Sequence, residues 1–404
     1  MLVQTRAIPV QRRATLRREP YRVLFPLGVL LAGAGVLPWL LFSLGLADVY
    51  RPIFHSVVFR SMFHPLAEIE GFLSCFAVGS LFAVLPRRTG TAPPSAWQIA
   101  IAIAAPIAIT ICAAAQKWVV GQIAWLVLIG MAIEFSLGRL RSSAAPRRWP
   151  EASVWIGLAL FIGAIGSVLA STGEASGKGG FWLHELGRSL LMQGLFGGMA
   201  LGIAGLLPGV EPGGELPPAR KACWGYVHAF GAALYFASFW IGHLVLLPLG
   251  FALRAAITLG VVLRLVRSPP LSKAPGASGR AIRTALWMLP LGNAWAALVP
   301  ESRRAGMHII YLGCFAVLVL VVSMSFRSPH PDRNAALPHL SARQLQIGWA
   351  CLAVALGARI LVEMDPPNFK LWLGLACTSF VIATLFTFQG FAAWLVRLLP
   401  TEGE

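Results

Sequence analysis

Long apolar runs alternate with short polar connectors along almost the whole chain. A membrane-crossing α-helix needs about 20 mostly apolar residues. Runs of about this length cover residues 23–46, 64–85, 97–115, 118–140, 151–170, 185–207, 222–242, 248–267, 284–300, 305–326, 345–363 and 371–397. The stretch 222–267 is about twice as long as one span, so we divide it near Gly242–Pro248. The pattern predicts an all-α, polytopic transmembrane helix bundle of about 12 spans, a single domain over residues 23–400.

Composition excludes a water-soluble globular fold. Apolar residues make up 57% of the chain and charged residues only 12%, about half the charged fraction usual in soluble domains. A net charge of +17 would indicate nucleic-acid binding in a soluble protein, but in a membrane protein it reports orientation, because Lys and Arg stay on the cytoplasmic side. With the basic tail 1–22 inside, about two thirds of these residues fall on cytoplasmic connectors. We therefore predict cytoplasmic N- and C-termini, a lipid-bilayer environment and no nucleic-acid partner.

The six cysteines lie within or beside apolar runs, and none forms a C-x-x-C pair. This placement predicts buried thiols rather than a disulfide framework, a zinc ribbon or covalently attached haem. The sequence also lacks the motifs of phosphate-binding loops, zinc proteases and α/β-hydrolases. Candidate chemistry is therefore sought among the polar residues of the spans.

Polar and ionisable residues are costly inside a bilayer, so their depth is informative. With the predicted topology, Glu134 and His228 lie near the inner face, and a larger group lies near the outer face. The outer group comprises His55, His64, Glu68, Glu70, His184, Glu185, Arg188, His243, Arg254, His308, Arg359 and Glu363. This distribution predicts a polar site in the outer half of the bundle.

Two histidines at similar predicted depth are the candidate metal ligands of that site. His64 begins the second span and shares a helix face with Glu68, which could orient the imidazole from the second coordination layer. His308 begins the tenth span, and the two imidazoles could be axial ligands of a b-type haem. The alternative is that both are interfacial histidines without a metal.

Arginines near the same face could hold haem propionates or another anion, because a guanidinium binds carboxylates in a bidentate manner. Arg188, Arg254 and Arg359 are the candidates for this role, and intrahelical ion pairing is the alternative. For Arg359 and Glu363, four residues apart, the spacing predicts an intrahelical ion pair.

Several stretches together resemble the NnrS family of bacterial membrane proteins linked to haem, copper and nitric oxide. The segment Phe63–Glu68, then Gly71-Phe72 and Gly79–Gly90, is similar to the family's pattern on its second helix. Looser matches are Leu186–Arg188 with Gln193-Gly194, Ala237–Trp240, Leu253–Ala255, the His308 segment and Arg359. The resemblance covers nearly the whole chain after the tail, and it implies haem and copper binding in the bacterial inner (cytoplasmic) membrane.

The chain also departs from the family pattern. His64 keeps the family's first histidine of the second helix, whereas Leu66 and Ala67 stand at the positions of its second histidine and its acidic residue. The arginine and histidine that usually end the tenth helix are replaced in Ser323–Ser328, and His330 lies two positions off. These departures leave one metal or none as alternatives to the haem–copper pair.

A weaker architectural likeness is to the catalytic subunit of haem–copper oxidases, which has twelve helices and haem-ligating histidines on helices 2 and 10. His64 and His308 fit that arrangement, but helix 7 lacks the paired histidines that would bind copper. The leading hypothesis is an NnrS-like, haem-binding protein of the response to nitric oxide and other nitrogen oxides. The alternatives are a twelve-helix secondary transporter and a metal-free assembly or sensing protein, and the sequence leaves open whether the chain is an enzyme.

Overall fold

The fold is a bundle of long α-helices, seen in a computed structural model that describes residues 16–46, 56–142, 151–206, 218–267, 276–325 and 342–396. No β-strand occurs in these ranges. Most of the basic tail, and the histidines His55, His330 and His339, lie outside them. The all-α prediction is therefore confirmed over the part of the chain that the structure describes.

Twelve helical segments make up the described bundle, and we number them α1 to α12. They are α1 (Tyr21–Ser43), α2 (Val57–Pro65, Leu66–Leu73 and Ser74–Thr89), α3 (Ala96–Ala114), α4 (Trp118–Ser142), α5 (Val154–Ala175), α6 (Phe181–Ser189, Leu190–Leu195 and Phe196–Leu206), α7 (Pro218–Leu244), α8 (Leu247–Arg267), α9 (Gly276–Leu298), α10 (Arg303–His308, Ile309–Ala316 and Val317–Ser325), α11 (Ala342–Met364) and α12 (Phe369–Val396).

Each segment coincides with one of the predicted apolar runs. Within the described ranges, ten helices are long and apolar enough to cross a membrane. The predicted division of 222–267 is confirmed, because α7 ends at Leu244 and α8 begins at Leu247. The number of membrane crossings and the orientation of the termini stay predictions.

Local sequence accounts for where helices begin and end. The hydroxyl of Ser95 accepts from the main-chain N–H of Gln98, whose side chain accepts from the Ser95 N–H in return. This capping box satisfies two N–H groups at the start of α3 that have no partner within the helix. Gly90 ends α2 in the left-handed region, at φ 69°, where a residue with a Cβ would be strained.

Three helices, α2, α6 and α10, contain a π-helical segment, respectively Leu66–Leu73, Leu190–Leu195 and Ile309–Ala316. They are the interior helices of the bundle: 83% of the apolar window in α2 and 67% of that in α10 are buried, and most of α6 after Ser189 is buried too. A π-helical segment changes the direction of the side chains and often marks a functional site.

The described helices repeat in three groups of four, α1–α4, α5–α8 and α9–α12. In each group the second helix is interior and packs on the first, and the third packs on the fourth. The groups are joined in the same way, because α4 packs on α5, α8 on α9, and α12 on α1. The arrangement gives three equivalent junctions, each beside two of the interior helices.

Helices α5 and α6 approach closely where Gly173 lies against the main chain of α6. An added Cβ at Gly173 would overlap the main-chain nitrogen of His184 and lie 2.6 Å from the carbonyl oxygen of Gly180. We expect Gly173→Ala to destabilise the protein by about 2 kcal/mol, since main-chain atoms cannot rotate away. Gly157→Ala in the same helix, where nothing lies within 4 Å, should be neutral or slightly stabilising. Thermal unfolding in detergent distinguishes the two, and equal melting temperatures would contradict this packing.

Candidate functional site

The junction between the third and first groups contains both candidate histidines. His64 precedes the π-helical segment of α2, and His308 precedes that of α10. The two imidazoles and the guanidinium of Arg359 on α11 interact electrostatically. The structure therefore brings together two residues that are 244 positions apart in the chain, and adds an arginine beside them.

Main-chain carbonyls orient both imidazole rings. His64 Nδ1 lies 3.2 Å from the carbonyl oxygen of Gly35 on α1, and His308 Nδ1 lies 2.7 Å from that of Arg304. A carbonyl oxygen only accepts, so Nδ1 carries the proton in each ring and donates it. The lone pair is then on Nε2, as in histidines that bind a metal through Nε2.

Arg359 and Glu363 join the site from α11. Arg359 donates from Nε to His308 Nε2 at 3.2 Å, and its Nη1 lies 3.5 Å from a Glu363 oxygen. The predicted i,i+4 ion pair is thus confirmed. Glu363 also accepts from the main-chain N–H of Ala305 at 3.1 Å, which ties α11 to the start of α10. The guanidinium is held beside the ring nitrogen that a metal would use.

Glu68 faces α1 in the same junction. It is only 8% exposed, and its Oε1 has no hydrogen-bond partner among the described residues. A Cβ added at Gly35 would lie 2.7 Å from that oxygen and 3.0 Å from the Cβ of Ala67, so a glycine is needed for this approach of α1 to α2. Glu68 lies beside the cluster, but no hydrogen bond joins it to His64 in the described part of the chain.

The turn between α11 and α12 is fixed at the same end of the bundle. The carboxylate of Asp365 accepts from Trp372 Nε1 at 2.8 Å and from Asn368 Nδ2 at 2.9 Å. These hydrogen bonds stabilise the charged form and lower the pKa of Asp365 below its usual value. Trp372 thereby anchors the first turns of α12.

Arg254 lies in a different junction, between the second and third groups. It is 1% exposed, donates to the carbonyl oxygen of Gly250 and to Gln193 Oε1, and stacks between two rings. The ring centroids are those of Phe239 at 4.2 Å and Phe251 at 4.0 Å. No described hydrogen bond or ion pair joins it to either candidate histidine, so its predicted role as a propionate partner of that site gains no support.

Arg188 lies in the remaining junction, between the first and second groups. It forms an ion pair with Glu185 at 3.1 Å, one turn earlier on α6, as the alternative of intrahelical pairing predicts. Its side chain also lines a cavity that contains Glu70 of α2. No described hydrogen bond or ion pair joins Arg188 to either candidate histidine, and its role as a propionate or anion partner stays a prediction.

A family model described as NnrS protein matches residues 15–400 of the chain. The chain belongs to the NnrS family. Comparison with curated proteins gives no match. The family assignment and the bundle of apolar helices together establish a polytopic, membrane-associated protein of this family.

The described residues of this NnrS-family chain offer few ligands for a copper ion, and copper binding stays a prediction. No group of three or more His, Cys, Asp or Glu residues that could hold a metal occurs in the described ranges. Leu66, at the position of the family's second histidine on α2, presents an apolar side chain to the cavity beside Glu70. A haem differs in this respect, because its iron is held by the porphyrin and needs only two ligands from the protein.

Neutral polar residues were the main omission of the sequence analysis. Gln122 on α4 donates to Glu70, Ser167 on α5 donates to Gln122, and Gln193 on α6 accepts from Arg254. A glutamine within an otherwise apolar span was the available signal, since an amide inside a bundle needs partners. No feature of the sequence indicated that Arg359 would donate a hydrogen bond to His308.

Proposed function

We propose that this NnrS-family protein binds one haem b between His64 and His308 in the bacterial cytoplasmic membrane, and that it acts in the response to nitric oxide and related nitrogen oxides. The observation that carries the proposal is the matched orientation of the two rings. Each Nδ1–H donates to a main-chain carbonyl, which leaves both Nε2 atoms free of protons on facing interior helices.

Two imidazoles match the two protein ligands that a haem iron needs. Space is the second requirement, and neither His64 nor His308 lines the cavity in this part of the bundle. The cavity in this junction, bounded by α1, α2, α10, α11 and α12, has a volume of about 20 Å³. Sites for ligands of haem's size occupy about 300 Å³ or more. Haem binding would therefore require side chains between α2 and α10 to separate and would require Arg359 to give up its hydrogen bond to His308 Nε2.

This chain's own residues have defined roles in such a site. The carbonyl oxygens of Gly35 and Arg304 keep the two rings in the ligating tautomer, and apolar side chains of α2 and α12 exclude water below them. Arg359, once released from His308, is placed to pair with a haem propionate. A haem held by these two histidines would supply one-electron redox chemistry and an iron able to interact with nitric oxide.

The secondary-transporter alternative is less well supported by the architecture. Transporter folds commonly contain two similar halves with broken helices at the midplane. The described helices of this chain repeat in three groups of four, and the interruptions are π-helical segments on α2, α6 and α10. A metal-free assembly or sensing protein keeps the same fold, and the cofactor content decides between that alternative and our proposal.

The experiment that tests the proposal is an optical spectrum of the detergent-purified protein, oxidised and reduced, with a pyridine haemochrome assay and total copper. We expect about one b-type haem per chain, six-coordinate and low-spin, and no stoichiometric copper. Nitric oxide added to the reduced protein should then change the spectrum. Protein without haem, after expression with an adequate haem supply, would overturn the proposal and favour the metal-free alternative.

The positive charge of Arg359 should raise the midpoint potential of the haem. We expect Arg359→Gln to keep haem but lower its midpoint potential by about 60 mV, because a nearby positive charge favours the ferrous state. Arg188→Gln is the matched control, since Arg188 pairs with Glu185 in another junction, and its midpoint should be unchanged. A redox titration followed optically measures both, and a larger shift in the Arg188 variant would contradict the assignment of Arg359 to this site.

A further inference from the structure

A cavity lies between the first and second groups of helices. It has a volume of about 40 Å³ and is bounded by α2, α4, α5 and α6. A space of this volume holds two or three water molecules. Its polar lining residues are Glu70, Gln122, Ser171, Glu174, His184 and Arg188.

Glu70 lines this cavity and is 2% exposed. Both of its carboxyl oxygens lie 2.8 Å from Gln122 Nε2. Gln122 Oε1 in turn accepts from the hydroxyl of Ser167 at 2.7 Å, which fixes which end of the amide faces Glu70. The carboxyl group is thus held by a neutral donor, and no ion pair to it occurs in the described part of the chain.

A carboxyl group placed this way is costly to ionise. Burial in a low-dielectric interior penalises the charge, and a single amide donor compensates only a fraction of it. The protonated acid is neutral, and its hydroxyl group needs an acceptor that Gln122 Nε2 cannot provide. Water in the adjoining cavity is such an acceptor.

The wall of the cavity contains a second group that needs water. The hydroxyl of Ser171 is buried and has no hydrogen-bond partner among the described residues. At the rim, Glu174 is 43% exposed, and its carboxylate lies 3.5 Å from Nδ1 of His184. Titratable groups at the rim, the hydroxyl of Ser171 and the carboxyl group of Glu70 therefore line one cavity.

We propose that Glu70 and this cavity form a proton-exchange site, in which Glu70 takes up and releases a proton through cavity water. On release, the O–H bond of Glu70 breaks and the proton passes to a water molecule, then to Glu174, to His184 or to the solution. On uptake the steps reverse, and no electron is transferred. This proposal is independent of haem, because it rests on residues of another junction.

The charged and titratable groups around Glu70 are few. On α5 and α6 they are Glu174, His184 and Arg188, of which Arg188 pairs with Glu185. Helix α3, which packs on the π-helical segment of α2, has no charged residue, and Gln122 is the polar residue of α4 in the cavity. Glu68 faces Gly35 on α1 instead.

Infrared spectroscopy on the full-length protein tests the exchange directly. A buried carboxylic acid gives a C=O stretching band that shifts when its proton is replaced by deuterium. We expect two such bands: one, lost in Glu70→Gln, that shifts fast in deuterated buffer, and one, lost in Glu68→Gln, that shifts slowly. Filling the cavity with Ser171→Leu should slow hydrogen–deuterium exchange at Glu70 at least about tenfold, and the exchange rate at Glu68 should stay unchanged.

Three outcomes would overturn the proposal: no band lost in Glu70→Gln, equal exchange of both bands, or no effect of Ser171→Leu. If the variants do not fold, labelling of the wild-type protein still tests the proposal. Dicyclohexylcarbodiimide, an apolar reagent, modifies protonated carboxyl groups inside membrane proteins, and mass spectrometry locates the adduct. Modification at Glu70 that falls as the pH is raised supports the site, whereas modification of Glu68 without Glu70 contradicts it.

Discussion

Replacing His308 with alanine is expected to reduce bound haem from about one per chain to below about a tenth of that, because the haem would lose one of its two proposed protein ligands. His64→Ala should have the same effect. The control is His228→Ala: His228 accepts a hydrogen bond from Trp155 Nε1 in the α5–α7 interface, so this variant should keep its haem. Haem content by pyridine haemochrome, normalised to protein, measures all three.

Imidazole rescue separates ligation from a merely structural role. Free imidazole supplied during haem loading should restore binding and the low-spin spectrum in His308→Ala, because it replaces the missing ring nitrogen. It should not rescue a variant that has lost haem through misfolding. If His308→Ala retained stoichiometric haem with an unchanged spectrum, His308 would not be a ligand, and the proposed site would be wrong.

The helical bundle was predictable because length and charge act as independent constraints. A bilayer imposes about 20 apolar residues per crossing, so each run marks a helix with little ambiguity. The division of 222–267 also followed from length. The structure has the boundary between Leu244, the last residue of α7, and Leu247, the first of α8. The threefold arrangement of helix groups was not visible, because it depends on which helices pack together and not on similarity of residues.

The site was predictable in part. His64 and His308 could be selected because each is costly in a membrane and each begins a span at similar depth. What could not be foreseen is the main-chain partner of each ring, since the carbonyls of Gly35 and Arg304 carry no signature in the sequence. The π-helical segments likewise reflect a shift of main-chain hydrogen bonds that composition does not encode.

The arginines illustrate why residue type alone misassigns partners. Arg188, Arg254 and Arg359 all belong to the group near the predicted outer face, and only side-chain packing separates them. Arg359 reaches His308, whereas Arg254 is enclosed by Phe239 and Phe251. Depth along the membrane normal can be derived from the sequence, but position around the bundle axis cannot.

Arg254→Ala is expected to destabilise the protein by about 3 kcal/mol whether or not haem is bound. The side chain is fully enclosed, so truncation leaves a cavity between two aromatic rings and removes the hydrogen bonds to Gly250 and Gln193. Arg188→Ala should cost less than about 1 kcal/mol, because its ion pair with Glu185 is about one third exposed. Unfolding in mixed micelles, with tryptophan fluorescence as the signal, compares the two.

Arg254→Met distinguishes packing from charge at this position. Methionine fills much of the same space without the guanidinium, and replacing a buried charge by an apolar side chain of similar volume is often neutral. We therefore expect Arg254→Met to recover most of the stability that Arg254→Ala loses. The opposite pattern, a stable Arg254→Ala protein that has lost haem, would show that Arg254 binds the propionates after all. The cofactor site would then extend from the His64–His308 cluster to the junction between the second and third groups of helices.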